Sequence, residues 1–392
     1  MAAGAVGGLS IATWCAGAYA VLLAVRALGA WRELRRQQAA PVAHDAVRMR
    51  DVAVLQPILG GDPRLPDVLG ATLAALPQAQ FHWLVDTDDA AGRWAVARLR
   101  AAHPQVAIRI HENPPAPDGT NPKTFKLDRA LPKIDAPVCL VLDDDATLSA
   151  DALARLVSAL DRADIATALP GYVAAGERLP GRLLAQFVND NAALTYLAPL
   201  AWAPPVSING MCYALRTGRL RALGGFAPLL HALADDLAMA DHVRAHGGRI
   251  AQTIAPVRVR TSVDDAVHYV RQMHRWMLFA TLLLRRQSVS MRLTIGVLHG
   301  LPPLLLWAMG VALVLQPDWG RLTSVAGVLM LRAGVPWMLQ DGLGAPAPQR
   351  PVLSVWSELL QPLHLLHACC VRTIRWRSRR YRVQADGGFR AV

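Results

Sequence analysis

Three short clusters of aspartates and one Gln-x-x-Arg-Trp motif carry the residue types best suited to chemistry. The clusters are Asp86/Asp88/Asp89, Asp143-Asp144-Asp145 and Asp235-Asp236, and the motif is formed by Gln272, Arg275 and Trp276. Carboxylates can hold a divalent cation such as Mg²⁺ or Mn²⁺, and they can take a proton from a hydroxyl group. An arginine offers forked donors that match a diphosphate. Together these residues are suited to moving a group from a diphosphate-linked donor to a hydroxyl.

Asp143 and Asp145 are the predicted cation ligands. They follow the apolar residues 136–142, which read as a buried strand, and they are two positions apart. At a strand end both carboxylates can point to the same edge of the sheet, and hard cations prefer such oxygen ligands. We expect Asp143 and Asp145 to hold a cation that bridges the donor diphosphate. A solvated acidic turn is the alternative for the triplet taken alone.

Asp236 is the predicted general base. It lies beside Asp235 at the start of the helical pattern of residues 234–240. A carboxylate placed beside the attacking hydroxyl would accept its proton. The alternative is that this acid only complements the helix dipole.

Gln272, Arg275 and Trp276 are expected to act on the leaving group. Their three- and four-residue spacing places them on one helix face. Residues 264–286 also have the pattern of an amphipathic helix at a membrane surface, and the two interpretations are compatible. In addition, Asn121 and Lys123 offer an amide and a cation in a segment that reads as a loop, which suits a phosphate.

Apolar segments alternate with helical patterns through the middle of the chain. Strands are predicted at residues 52–57, 81–86, 106–111, 136–142 and 163–169, and helices at residues 65–76, 90–102 and 149–160. The strand at residues 136–142 is apolar without a period of two, as expected when helices cover both faces of a sheet. The sequence therefore predicts an open α/β sheet with acidic residues at the carboxyl ends of its strands, where ligands bind in such folds.

The N-terminal segment is apolar enough to enter a membrane. Residues 6–25 are apolar or small, and about 20 such residues cross a bilayer core as a helix. The basic residues follow this run and none precedes it, which favours a retained anchor over a signal peptide and places the next domain in the cytoplasm. They are Arg26, Arg32, Arg35 and Arg36.

Three further spanning segments are predicted near the C-terminus, at residues 293–315, 322–339 and 352–371. Pro302-Pro303 should kink the first, and Arg332 in the second is costly unless it is paired or faces a cavity. The predicted organisation is an anchor at residues 1–30, a cytosolic catalytic domain at residues 45–263, an interfacial helix at residues 264–290, and a C-terminal membrane region with a basic tail at residues 291–392.

The net charge of +12 indicates an anionic partner. Because arginines flank the apolar segments, as Arg285-Arg286 do, we expect anionic lipid headgroups and no nucleic acid. The five cysteines show no Cys-x-x-Cys spacing, which makes a zinc site or a disulfide framework improbable.

The motifs together resemble those of ceramide glucosyltransferases, the glycosyltransferase family 21 branch of the family 2-like GT-A enzymes. Asp89, Asp143 and Asp236 take the positions of the three motif aspartates, and Gln272-Arg275-Trp276 takes that of the fourth motif. Asn121-Pro122-Lys123 resembles the Asn-Pro-Lys loop of the family, and the tail at residues 375–382 resembles its basic C-terminus. Asp144-Asp145 departs from the family pattern, because animal members have a less acidic motif there.

The resemblance implies a Rossmann-like GT-A domain between an N-terminal anchor and C-terminal membrane helices. It implies inverting transfer of a hexose, first of all glucose from UDP-glucose or a related UDP-sugar, to the hydroxyl of a membrane lipid such as ceramide. Asp89 would then lie near the uracil and ribose, and Asn121, Lys123 and Asp143 would bind the donor. The composition is typical of a GC-rich bacterial genome, so the expected location is the bacterial inner membrane with a cytoplasmic catalytic domain. Hopanoid or diacylglycerol transfer, a processive polysaccharide synthase and a non-enzymatic membrane scaffold are the alternatives, in that order.

Overall fold

The computed structural model describes residues 11–42, 48–174, 176, 178–344, 348–376, 379–384 and 388–391. Its centre is a sheet of eight strands, in the order β3-β2-β1-β4-β7-β6-β8-β5. The strands are β1 Val52–Pro57, β2 Gln80–Asp86, β3 Ile108–Asn113, β4 Val138–Leu142, β5 Ala146–Leu148, β6 Ile165–Ala174, β7 Cys212–Arg216 and β8 Ile250–Thr261. The strands β3, β2, β1 and β4 are parallel, and β7 runs antiparallel to both β4 and β6. The predicted α/β sheet is confirmed, and it is mixed.

Among the described residues, eight α-helices belong to the sheet domain or border it. They are α2 Leu65–Ala75, α3 Ala90–Ala102, α4 Pro122–Ala130, α5 Ala150–Ala159, α6 Leu179–Ala192, α7 Thr217–Ala222, α8 Asp235–Ala245 and α9 Ala266–Arg285, and the N-terminal helix α1 Ile11–Ala39 precedes them. Alternate residues of the central strands enter two different cores: Leu140 and Leu142 of β4 pack on one face, and Cys139 and Val141 on the other. Burial on both faces explains why these strands show no period of two.

β6 is longer than the sequence predicts. The expected end at residue 169 precedes Pro170-Gly171, a turn signal. In the structure β6 continues to Ala174, because residues 169–174 pair with β8 in parallel after a local irregularity at Thr167. This extension places Tyr172 at the carboxyl end of the sheet.

Helix α1 is longer than the predicted anchor and also contacts the sheet domain. The first residues of the predicted apolar run, 6–10, lie outside the described residues. The helix continues beyond the predicted anchor to Ala39. Near its end, Gln37 donates a hydrogen bond to the carbonyl of Gln252 and accepts one from the amide of Ile254. The side chain of Gln37 therefore joins the apolar N-terminal helix directly to β8.

The C-terminal part contains α10 Val289–Ile295, α11 Leu301–Leu315, α12 Trp319–Gly342, α13 Pro351–Leu359 and α14 Gln361–Cys370. A π-helical turn at Gly296–Gly300 joins α10 to α11 just before Pro302-Pro303, where the sequence predicts a kink. Among the described residues, three helices are long and apolar enough to cross a membrane: Ile11–Ala39, Val289–Leu315 and Trp319–Gly342. The segment predicted as a further span, residues 352–371, is not one helix: it is divided at Leu360 into α13 and α14, and Pro362 lies in the first turn of the second helix.

Arg332 in α12 is paired, as its position in an apolar segment requires. Its guanidinium lies beside the carboxylates of Glu358 and Asp190, the latter at 3.3 Å. Tyr19 of α1 donates a hydrogen bond to Glu358 at 2.9 Å. This buried network connects α1, α6, α12 and α13.

The basic tail folds as a small antiparallel sheet of β9 Thr373–Trp376, β10 Arg379–Val383 and β11 Phe389–Ala391. Ile374, Tyr381 and Val383 share a buried apolar cluster with Leu278 and Leu282 of α9. The tail therefore supports the helix that carries the Gln-x-x-Arg-Trp motif.

Candidate active site

The acidic triplet lies directly after β4, where the sequence places it. The Asp143 amide donates a hydrogen bond to the Met211 carbonyl, and Asp144 accepts one from the amide of Leu59 at 2.7 Å. Asp145 Oδ1 is buried and has no hydrogen-bond partner among the described residues. Burial, followed by the nearby charges of Asp143 and Asp144, raises the pKa of Asp145 well above its ordinary value. The triplet thus places three carboxyl groups close together at the end of β4.

Lys123 lies between two of the acidic clusters. Its ammonium group is 2.8 Å from Asp143 and 3.3 Å from Asp235, and it donates a hydrogen bond to the Gly210 carbonyl at 2.7 Å. Burial opposes the charged form, but the carboxylates of Asp143 and Asp235 outweigh it and raise the pKa of Lys123 well above its ordinary value. Lys123 therefore stays positively charged and holds the two clusters together.

Asn121 begins a helix where the sequence predicts a loop. Its side-chain oxygen caps α4 by accepting from the amides of Lys123 and Thr124, and Pro122 occupies the first turn. Its side-chain nitrogen donates to the carbonyl of Ala232 at 2.9 Å. Asn121 is fully buried, so in this structure its amide positions Lys123 and the segment that precedes α8 rather than facing the cleft.

Asp235 and Asp236 form the first turn of α8, as predicted. Asp236 Oδ1 accepts a hydrogen bond from the amide of Leu237 at 2.8 Å. Burial, and then the charge of Asp235, raises the pKa of Asp236 to about 7. A carboxylate with a pKa near 7 is suited to accept a proton from a hydroxyl at neutral pH.

Asp89 caps helix α3. Its carboxylate accepts hydrogen bonds from the amides of Gly92 at 2.9 Å and Gly60 at 2.7 Å. A side chain on Gly60 would clash with this arrangement, since an added Cβ would lie 2.2 Å from the Gly92 nitrogen. Asp89 and Asp144 thus hold the same turn after β1 from two sides.

The Gln-x-x-Arg-Trp motif lies in α9. Gln272 accepts a hydrogen bond from Arg275 at 2.9 Å. The Trp276 ring meets Tyr172 edge-on at 5.8 Å between centroids and stacks with Phe187 at 6.3 Å. The motif tryptophan therefore packs among aromatic side chains of β6 and α6.

Tyr172 connects the motif to the acidic triplet, and the sequence analysis missed it. Its hydroxyl is 3.2 Å from the Met211 sulfur. Burial and the charge of Asp145 raise the pKa of Tyr172 well above its ordinary value, and Arg275 partly opposes this. The residue therefore lies near both Asp145 and Arg275. No pattern marks it in the sequence, because its place depends on the extension of β6 beyond Pro170.

The carboxylates suit a cation shared with a diphosphate. Among the described residues, no group of three or more His, Cys, Asp or Glu side chains is arranged to hold a metal ion by itself. Mg²⁺ commonly takes only one or two carboxylates together with substrate phosphates and waters. Asp143, together with Asp145 and its unpartnered oxygen, fits that type of ligand set.

The mixed sheet, with acidic residues at the ends of β2 and β4, is the fold of GT-A glycosyltransferases. The chain belongs to glycosyl transferase family 21, whose family profile matches residues 12–389. No curated protein matches the chain in sequence.

Three solved structures are similar to this chain at low sequence identity. A mannosyltransferase from Pyrobaculum calidifontis, solved in complex with GDP-Man and Mn²⁺, has a TM-score of 0.51 and 18% identity, over 92% of this chain and 98% of that chain. GalNAc-T7, solved with UDP, GalNAc and Mn²⁺, has a TM-score of 0.41 and 10% identity, over 62% of this chain and 53% of its own. Glucosyl-3-phosphoglycerate synthase from Mycobacterium tuberculosis has a TM-score of 0.37 and 16% identity, over 62% of this chain and 80% of that chain. At 18% identity, the similarity to the mannosyltransferase establishes the fold alone.

Proposed function

We propose that this glycosyltransferase moves a hexose from a UDP-sugar, first of all UDP-glucose, to the hydroxyl of a membrane lipid such as ceramide, with inversion at the sugar. Membership of family 21 supports a glycosyl donor and acceptor of this kind. The observation that carries the proposal is the arrangement around Lys123, which brings Asp143 and Asp235, the neighbour of Asp236, to one ammonium group. Groups suited to bind a donor and to accept a proton thus lie within one cluster.

We assign donor binding to Asp89, Asp143, Asp145 and Lys123. Asp143 and Asp145 would hold a divalent cation, which would neutralise the donor diphosphate when bound. The mannosyltransferase with the same fold was solved with Mn²⁺ and a nucleotide sugar, which supports this expectation. Before the donor binds, the ammonium group of Lys123 would balance the negative charge of the Asp143 carboxylate. Asp89 holds the turn at Gly60 and would border the nucleoside.

Asp236 is the proposed general base. Its raised pKa, about 7, lets it accept the acceptor's hydroxyl proton without remaining fully protonated in a neutral cytoplasm. Gln272, Arg275 and Trp276 would serve the departing UDP and the acceptor, with Arg275 oriented by Gln272 at 2.9 Å. Tyr172 would keep Trp276 in place beside the donor site.

The lipid acceptor is proposed from the position of the site relative to the apolar helices. α6 carries Phe187, which stacks on Trp276, and Asp190, which lies 3.3 Å from Arg332 of the apolar helix α12. One helix thus connects the Gln-x-x-Arg-Trp motif to the apolar bundle. We propose a bacterial inner-membrane protein with its catalytic domain on the cytoplasmic side.

A hopanoid or diacylglycerol could replace ceramide as the acceptor, since each presents a hydroxyl at the membrane surface. A processive polysaccharide synthase would need a channel through the membrane, which is hard to build from the three candidate spans among the described residues. A non-enzymatic scaffold would not require the buried ammonium group of Lys123 between the carboxylates of Asp143 and Asp235.

The test is transfer by the purified full-length protein in lipid nanodiscs. Radiolabelled UDP-glucose, UDP-galactose and GDP-mannose are offered separately, with ceramide, diacylglycerol or a hopanoid in the disc, and products are identified by mass spectrometry. We expect one glucose added to ceramide and release of UDP in equal amount. Polymer formation, or no transfer from any of these donors to any of these lipids, would contradict the proposal.

A further inference from the structure

A cavity lies at the opposite end of the sheet's strands from the acidic cluster. Its volume is about 420 Å³, and it is bordered by the end of α1, the end of α5, the segment around Leu200 and Pro204, and the first residues of β8. β6 and β8 run in the direction of β4, and the cavity adjoins their starts, whereas Asp143 follows the end of β4. Small-molecule sites commonly have volumes of about 300–1,000 Å³.

The lining of this cavity is positively charged. It contains Arg36, Arg155, Arg162 and Arg249, and Glu33 is the only carboxylate among the described lining residues. Glu33 is already paired with Arg36 at 2.6 Å. Arg155, Arg162 and Arg249 therefore give the lining of the cavity a net positive charge. Arginines in this arrangement favour a phosphate-type anion.

Two buried polar atoms of residues that line the cavity have no hydrogen-bond partner among the described residues. Gln252 is 5% exposed, and its side-chain oxygen has no hydrogen-bond partner among the described residues, whereas its nitrogen donates to main-chain carbonyls. The Ser158 hydroxyl is likewise buried and unpartnered within the described part of the chain. An amide oxygen can only accept a hydrogen bond, and a fully ionised phosphate cannot donate one. The ligand that satisfies Gln252 must therefore also carry a hydroxyl or an N–H.

The cavity is close to the end of the apolar surface of α1. Leu28 is 68% exposed, and Gly29 packs against Ala198 and Trp202, in the segment that also contributes Leu200 to the lining. Leu28 and Arg36 are separated by about 12 Å of helix at 1.5 Å per residue. That distance brings the arginines near the polar layer of a bilayer whose apolar core ends at Leu28.

We propose that this cavity binds a phosphorylated polyol of the glycerol phosphate type, with Arg155 and Arg162 holding the phosphate and Gln252 and Ser158 meeting its hydroxyls. The same chemistry is presented by the headgroup of phosphatidylglycerol and by soluble glycerol phosphate. The ligand would bind across the junction of α1 and the sheet domain, and so would stabilise that junction. This site is separate from donor binding and does not depend on the identity of the sugar or of the acceptor.

The experiment uses the full-length protein in nanodiscs and three probes. In phosphatidylcholine discs, the rise of Tm is measured during titration with glycerol 1-phosphate and with inorganic phosphate. In discs of phosphatidylcholine with phosphatidylglycerol, lipid retained by the protein is counted by native mass spectrometry. The variant is the double substitution Arg155→Gln/Arg162→Gln, and the matched control is Arg100→Gln, an exposed arginine of α3 that does not line the cavity.

We expect the double variant to weaken binding at least tenfold, which corresponds to about 1.4 kcal/mol, and Arg100→Gln to leave it unchanged. Saturable stabilisation by glycerol 1-phosphate identifies a soluble ligand, and selective retention of phosphatidylglycerol identifies a lipid headgroup. Ser158→Ala should narrow the preference for glycerol 1-phosphate over inorganic phosphate, even if the double variant folds poorly. The proposal is overturned if wild type and double variant respond alike to every probe, if Arg100→Gln loses as much as the double variant, or if inorganic phosphate binds as well as glycerol 1-phosphate.

Discussion

Gly210 packs directly against Asp236. A Cβ atom placed on Gly210 would lie 2.9 Å from the Cβ of Asp236 and 3.2 Å from its Oδ2. The carbonyl of the same glycine accepts the hydrogen bond from Lys123. The absence of a side chain at position 210 is thus part of what sets the position of the proposed base.

Gly210→Ala should therefore slow transfer without removing the donor site. A displacement of the base by about 1 Å can cost about 100-fold in rate, so we expect kcat to fall by about 10- to 100-fold with little change in the affinity for UDP. Gly218→Ala is the control, because an added Cβ there meets nothing within 4 Å. Equal kcat values for the two variants would show that Gly210 does not constrain Asp236.

Asp236→Asn should abolish most transfer and preserve UDP binding. A general base contributes about 10²- to 10⁴-fold to rate, whereas loss of a charge at a helix start costs only about 0.3–1 kcal/mol of stability. Asp235→Asn is the comparison, and it should retain more transfer activity because Asp235 pairs with Lys123 instead of meeting the acceptor. Calorimetric titration with UDP and initial transfer rates separate the two roles. Near-normal rates for Asp236→Asn, or parallel loss of UDP binding, would remove Asp236 from the base role.

The transfer rate should rise with pH through about 7, because Asp236 must be deprotonated to act and its pKa is raised to about 7. The groups that face it are Asp235, Lys123, Tyr196 and Tyr213. Because the pKa of Asp236 is higher in the folded protein than its unfolded value of 3.8, the contribution of Asp236 to stability is fully present only below pH 3.8. This contribution is lost as the pH rises through about 7. The Tm of Asp236→Asn should therefore exceed the Tm of wild type by more at pH 8 than at pH 5. A rate that is flat between pH 6 and 8 would contradict the assignment.

Asp145→Ala should abolish the stimulation of UDP release by Mg²⁺ or Mn²⁺. The substitution removes a carboxylate whose buried Oδ1 has no hydrogen-bond partner among the described residues. UDP release is measured across a metal titration, and Asp67→Asn, an exposed acid in the first turn of α2, serves as the control. An Asp145→Ala protein with wild-type turnover and metal response would exclude Asp145 as a ligand.

The topology prediction can be tested with single cysteines in a background that lacks the exposed Cys369 and Cys370. Arg48→Cys lies between α1 and β1 on the proposed cytoplasmic side, and Pro317→Cys lies in the turn between α11 and α12 on the opposite side. A membrane-impermeant thiol reagent should label Pro317→Cys in intact cells and label Arg48→Cys only after lysis. The reverse pattern would place the catalytic domain outside the cytoplasm.

The sequence predicts the parts of the site that depend on local patterns. The apolar run of β4 locates Asp143 and Asp145, and helical spacing locates Asp235, Asp236 and the Gln-x-x-Arg-Trp motif. Asn121 and Pro122 begin helix α4, where the sequence analysis predicts a loop, although an asparagine cap followed by proline is a local helix-start signal.

The other features of the site depend on contacts between residues that are distant in the sequence, and no local pattern predicts such contacts. Lys123 is brought to Asp235 by the fold across more than a hundred residues. Tyr172 reaches the site because pairing with β8 overrides the turn signal of Pro170-Gly171. The break between α13 and α14 is similar, since an apolar composition allows either one long helix or two short ones, and Pro362 divides them.

The two hydrogen bonds of Gln37 to β8 connect helix α1 to the sheet of the catalytic domain as one unit. Leu28, where the apolar surface of α1 ends, and Gln37 are separated by about 14 Å of continuous helix. With α1 in the membrane as proposed, this connection fixes the height of the cleft above the bilayer. Lipids would then be selected partly by how far their hydroxyl protrudes from the membrane, a criterion that is independent of the shape of the headgroup.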